Sequence, residues 1–157
     1  MSESFRSKLY KLRFNFFPAY RRTGVRIIYV SHDLHEVKIK LSLKWNNKSH
    51  IGSIWGGSLY GSVDPVYSIM LSVILGKNYV AVDKKATIEF LKPGTATLYS
   101  TFKLSAEDVK KIKEECDSFG KAERTYHVAL TDERNDVYFR AEKVVHIKRR
   151  KFKTKSL

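Results

Sequence analysis

The chain predicts an α+β fold in which a curved antiparallel sheet of about six strands wraps round one buried helix, with a helix ahead of it and a surface helix inserted late. Three observations carry this reading. From Gly56 to Gly76 (GGSLYGSVDPVYSIMLSVILG), Leu59, Val63, Val66, Ile69, Met70, Leu71, Val73, Ile74 and Leu75 fall on every side of a helix, with Asp64 the one charge among them. A helix apolar all round has to be buried. The flanking segments alternate with period two instead: Val37, Ile39, Leu41, Leu43 and Trp45 on one face against Lys38, Lys40, Ser42 and Lys44 on the other. That pattern gives strands with one covered face. Finally, 157 residues at 43% hydrophobic content suffice for one sizeable core and not for two.

Taken in order, Phe5, Leu9, Leu12 and Phe16 recur at helical spacing while Arg6, Lys8, Lys11 and Arg13 take other sides, which predicts an amphipathic basic helix. Its apolar face is expected to cover a hydrophobic edge, with a membrane surface or an acyl carrier as the sharper reading. Pro18 closes it, and PAYRRTG adds a turn ending at Gly24. Residues 1–24 thus form an N-terminal segment, 25–148 the domain proper and 149–157 a basic tail. VRIIYVS and LHEVKIKLSLKW are strands, and Asn46, Asn47, Lys48 and Ser49 make a polar loop that leads through His50 to the glycine pair. Gly76 stops the central helix. YVAVDKKATIEFLKPG is a long strand with Ala86, Ile88 and Phe90 on one side, turning at Pro93-Gly94, and TATLYSTFKL returns. Ser105 caps the surface helix SAEDVKKIKEECDSFG, Gly120 ends it, and the remainder is a hairpin turning at Asp132 to Asp136.

Composition narrows function. A single cysteine, Cys116, allows no internal disulfide and no thiolate metal site, and fits a reducing compartment, so a cytoplasmic protein without metal or cofactor is expected. The start carries Lys8, Lys11 and Arg13 where a signal peptide needs an unbroken apolar run. Gly, Ser, Asp and Pro in the first half of the central helix argue against membrane insertion. The net charge of +14 sits mostly at the two ends. With Phe152 the only aromatic in the basic tail, nucleic-acid stacking is poorly supported. His35, His127 and His146 lie on strands and read as structural.

The chemistry concentrates at Gly56-Gly57 and Asp64. If the helix begins at the glycines, its first amides are unpaired, carry the positive end of the dipole and suit a developing oxyanion. Asp64 lies seven residues beyond Gly57, about 10 Å along the axis, too far for both to act on one centre within one subunit. A site shared by two subunits removes the difficulty. The competing reading makes Asp64-Pro65 a second helix start with Asp64 as its N-cap, while Gly61 leaves room for a proline kink in a helix running through. The residues leave both open.

The segment NNKSHIGSIWGGSLYGSVDP resembles the signature of PaaI-like hotdog thioesterases, and is closer still to a hotdog branch known only as a domain of unknown function. DKKATIEFLKPG resembles the same branch, so the likeness spans most of residues 15–148. It implies a hotdog-fold homodimer, or a dimer of dimers, that hydrolyses an acyl thioester carried by coenzyme A. It further implies Asp64 as base or nucleophile, the Gly57 amide as oxyanion donor, and Gly56, Trp55, Asn47 and Ser49 near the substrate. Trp55 stands where PaaI-like enzymes usually have His, and Ser49 where they usually have Asn. Lys84, Lys85 and Lys92 are candidates to hold a phosphorylated carrier.

Overall fold

A computed structural model of the chain describes residues 3–150. Two short helices, α1 (Phe5–Phe16) and α2 (Pro18–Arg22), precede strands β1 (Val25–Val30) and β2 (Glu36–Leu41). A 3-10 turn at Trp45–Asn47 leads to α3 (Gly56–Val63) and α4 (Val66–Leu75). Then follow β3 (Tyr79–Phe90), β4 (Leu98–Lys103), α5 (Ala106–Phe119), β5 (Lys121–Thr131) and β6 (Val137–Arg149). The strands form one antiparallel six-stranded sheet in the order β1-β2-β4-β5-β6-β3, so β3 leaves its sequence neighbours and closes the far end beside β6. The remainder of the basic tail lies outside the described residues.

Register explains the core. Leu41 pairs with Leu98 and Leu130 with Phe139, and all four are fully buried because period-two alternation turns both members of each pair to the same face. Leu59, Val63, Val66, Tyr67, Met70 and Leu71 of α3 and α4 pack into the same cluster. Between β4 and β5 the ladder thins to Tyr99 opposite Thr131. Tyr67 spans this seam, stacked on Tyr126 of β5 (centroids 4.2 Å apart) and edge-on to Phe102 of β4 (5.1 Å). Helix α5 is capped as expected by Ser105, whose Oγ accepts from Asp108 N–H (3.0 Å), and ends at Gly120 in the left-handed region (φ 76°). It is clamped to β5 by Arg124, which reaches Asp108 and Glu115, each at 2.7 Å.

Two expectations need correction. The apolar stripe of α1 does not cover the body: Phe5 (85% exposed), Leu9, Leu12 and Phe16 (61%) face outward. The helix docks instead through Ser7, Tyr10 and Phe14, with Asn15 exchanging hydrogen bonds with the backbone of Ile27 (2.9 and 3.0 Å). Tyr10 and Phe14 line a small apolar cavity of about 30 Å³ together with Ile27, Val30 and Val37 of the sheet and Ile69, Met70 and Val73 of α4, so α1 and the sheet cover that helix jointly on this side. Secondly, β2 ends at Leu41, so Trp45 leaves the alternating face and stands 91% exposed on the 3-10 turn. In β3 a bulge between Asp83 and Lys85 switches which residues face inward. Tyr79, Ala81 and Asp83 share the covered side before it; after it Ile88 and Phe90, expected on one side of the strand, remain 37% and 55% exposed.

Candidate functional site

Asp64 lies at the joint of α3 and α4. Its backbone is helical (φ −53°, ψ −56°), its N–H donates to the Tyr60 carbonyl (3.0 Å), and α4 has no side-chain cap. The N-cap reading is thereby excluded: the helix passes through Asp64 and is bent where Pro65 supplies no N–H. The space left by Gly61 is used by Thr23, whose Cγ2 would lie 3.0 Å from an added Cβ.

What fixes the Asp64 side chain is a residue that the sequence reading passed over. Lys143 of β6 is wholly buried, in phase with Phe139, Ala141, Val145 and Ile147. Its Nζ donates to the Asp64 carbonyl and lies 3.2 Å from Asp64 Oδ1 and 3.1 Å from Asp83 Oδ1, with the Tyr60 ring beneath it (5.7 Å). Asp83, on the neighbouring strand β3, accepts from Ser68 Oγ at its other oxygen (3.1 Å). Asp83 Oδ1 makes no well-directed hydrogen bond despite its closeness to the ammonium, so the contact is Coulombic. Burial pushes the Asp83 carboxyl above its ordinary value, with Lys143 pulling the other way and the Asp64 charge adding to the rise. Burial likewise pushes the Tyr60 hydroxyl up, helped by the Asp64 carboxylate beside it. One cation thus serves two carboxylates, of which Asp64 keeps 40% of its side chain exposed and Asp83 only 19%. Asp64 is the member of this cluster that a substrate or water can reach.

The glycine pair opens a second place. Ser58 and Leu59 are the first amides of α3 to close bonds, both to the Trp55 carbonyl (2.9 and 3.1 Å), which puts Gly56 and Gly57 among the helix-start amides. An added Cβ at Gly57 would come within 2.6 Å of the Trp55 ring, and one at Gly56 within 3.1 Å of Phe90. A side chain at Gly57 would displace the Trp55 ring, and one at Gly56 would need Phe90 to give slightly. Ser49, Trp55 and Gly56 line a groove of about 460 Å³ together with His50, Phe90 and Lys92. Of these His50 was missed, although it lies in the loop that leads to the glycines. The groove does not include Asn47, which is buried and holds its own loop, accepting from Lys44 N–H (2.7 Å) and donating to the carbonyls of Ser42 (3.0 Å) and Thr23 (3.3 Å). Nor does it include Asp64. Lys84 and Lys92 are engaged at the surface with Glu123 (2.7 Å) and Asp136 (3.4 Å). Cys116 is buried, and burial pushes its thiol up, which makes it a poor nucleophile. Among the described residues no cluster of metal-ligating side chains occurs. Gly56–Leu75 is long and apolar enough to cross a membrane but is half buried inside the protein.

The same architecture recurs in solved structures. A protein of unknown function from Pseudomonas aeruginosa, PA5026, described as a probable thioesterase, superposes with a TM-score of 0.80 at 21% identity, over 91% of this chain and 95% of that one. The thioesterase HI1161 of Haemophilus influenzae gives 0.68 at 10% identity (94% and 93%). The PaaI protein of the phenylacetic acid degradation operon of E. coli gives 0.62 at 17% identity (89% of each). The comparison with curated proteins gave no match. In sequence, the family described as Domain of unknown function (DUF4442) matches residues 6–147. With that match over nearly the whole chain and a six-stranded sheet wrapped round a kinked helix, the chain belongs to the DUF4442 family and has the hotdog fold.

Proposed function

We propose that the protein hydrolyses an acyl thioester, with coenzyme A as the carrier, at a site completed by two copies of the chain. One observation carries the reading: a half-exposed carboxylate, Asp64, is held at a helix kink by a wholly buried lysine. Burying an ammonium and a second carboxylate in an apolar core costs several kcal/mol per ion in desolvation, only partly offset by their attraction, which is hard to account for by stability alone. In the proposed step Asp64 takes a proton from water as the water oxygen attacks the thioester carbonyl. The oxyanion is held by the Gly57 amide of the other protomer, the C–S bond breaks, and the thiolate leaves to be protonated.

The topology supports the sharing. Strand β3 has no strand beyond it, and its Ile88 and Phe90 are only partly covered by their own chain (37% and 55% exposed). Gly56 abuts Phe90 at one end of β3, whereas Asp83 and the Asp64 cluster lie toward the other. Along β3 itself seven residues, roughly 23 Å, separate Asp83 from Phe90. An antiparallel pairing of β3 with its symmetry mate about a two-fold axis brings the groove of one protomer opposite the Asp64 of its partner. A dimer of dimers extends the same arrangement.

A second reading, an acyl-binding module without hydrolysis, is favoured by the Trp55 ring, which lies over Gly57 where the oxyanion amide is needed. Hydrolysis of a panel of acyl-CoA esters by wild type and Asp64→Asn separates the two. The hydrolase reading expects turnover that falls by 100-fold or more, the usual scale for loss of a general base. Full activity in Asp64→Asn removes Asp64 from the chemistry, whereas binding without turnover across the panel assigns the groove to binding.

A further inference from the structure

The outward stripe of α1 has no place in the proposed chemistry. Phe5, Leu9, Leu12 and Phe16 form one exposed ridge, Phe17 continues it, and a shallow apolar groove follows between Phe17 and Ile69 and Val73 of α4. Lys8 flanks the ridge on one side and Arg6 and Arg13 on the other, at helical spacing. Lys11 is neutralised by Glu3 (2.7 Å), whereas Arg6, Lys8, Arg13, Arg21 and Arg22 have no carboxylate partner among the described residues. Beside Phe16 a second groove of about 430 Å³ is lined by Arg21, Arg22, Arg26 and Lys44 and by no acid, and Trp45, which follows Lys44 in the chain, is almost fully exposed.

We infer that the α1–α2 face docks peripherally on a bilayer surface that carries anionic lipids. An apolar helix face rimmed by cations lies in the plane of a membrane interface, with its aromatic and leucine side chains at the acyl boundary and its basic side chains among the headgroups. The acid-free groove takes lipid phosphates, and an exposed tryptophan belongs at the headgroup level. Charge argues against a second copy as the occupant, since an isologous contact here would set unpaired cations against the same cations. The docking is interfacial and independent of whether Asp64 catalyses anything.

Co-sedimentation of the full-length protein with phosphatidylcholine vesicles, with and without about a third phosphatidylserine, tests the inference. Binding to the anionic vesicles is expected at least about tenfold stronger than to the neutral ones, and to weaken with salt. Leu9→Ser/Leu12→Ser and Arg21→Glu/Arg22→Glu, all at exposed positions, are each expected to weaken it about tenfold or more with unchanged circular dichroism. Equal binding to both vesicle types, no binding at low salt, or indifference to Leu9→Ser/Leu12→Ser overturns it. A change in particle mass in Leu9→Ser/Leu12→Ser without a change in vesicle binding assigns the ridge to a second copy and overturns it too.

Discussion

Lys143 stands at a strand position whose neighbours in phase are Phe139, Ala141, Val145 and Ile147, and its ammonium is the only cation within reach of both Asp64 and Asp83 among the described residues. Replacing it leaves two carboxylates to share a largely desolvated site. Lys143→Met is therefore expected to lower the unfolding free energy on the order of 3 kcal/mol in urea titration. Adding Asp64→Asn and Asp83→Asn should regain most of the loss, since the cost lies in unpaired charge and not in the missing volume. If Lys143→Met unfolds no earlier than wild type, the trio is not a coupled unit. The position was legible in principle, because a lysine on the apolar phase of β6 and an aspartate on the apolar phase of β3 both break the alternation. Period-two reading takes a strand lysine for a solvated one unless its phase is checked, and it cannot show that β3 and β6 are neighbours. Asn47 shows the converse: a polar residue in a loop near the glycines looks available in sequence and is spent on its own backbone.

At the level of elements, stop and start signals were legible because they are local. Ser105 caps α5, Gly76 and Gly120 take positive φ (84° and 76°) at helix ends, and the last hairpin turns between Thr131 and Val137 with Asn135 also at positive φ. Removing one such signal has a bounded effect: Ser105→Ala should cost about 1 kcal/mol in thermal or urea unfolding, and no measurable change would mean that the Arg124 clamp alone holds α5. Faces were harder than boundaries. The stripe of α1 was correctly recognised as apolar and wrongly turned inward, because amphipathicity states which side is greasy and leaves open what lies against it. Ser7, small and polar, is buried there with its hydroxyl bonded to the Ser4 carbonyl (2.9 Å), a contact that composition does not announce.

For the whole molecule, the wrapped-helix architecture followed from a single physical constraint, that a helix apolar on all sides needs a cover larger than one flat layer. The order of strands did not follow from sequence, since β3 crosses to the far end of the sheet. That crossing leaves the edge on which the proposed assembly depends. Ile88→Asp, placed at a half-exposed site near the two-fold axis proposed above, is expected to shift the particle from dimer to monomer in light scattering, because the interface would have to bury a charge in place of an apolar side chain. Turnover should fall with it. A monomeric wild type removes the shared site, and a variant that stays dimeric points to another interface.

The two N-terminal helices are also riveted to the mouth of the groove. The Tyr20 hydroxyl donates to the Ser62 carbonyl of α3 (2.8 Å), and Thr23 is joined through the Asn47 amide to the carbonyl that receives the Trp55 N–H (2.8 Å). Gly24, at the joint, has a positive φ (87°) and could not take a side chain without striking that of Asn47. The N-terminal helices are thus tied by hydrogen bonds to the very stretch of chain that presents the Trp55 indole.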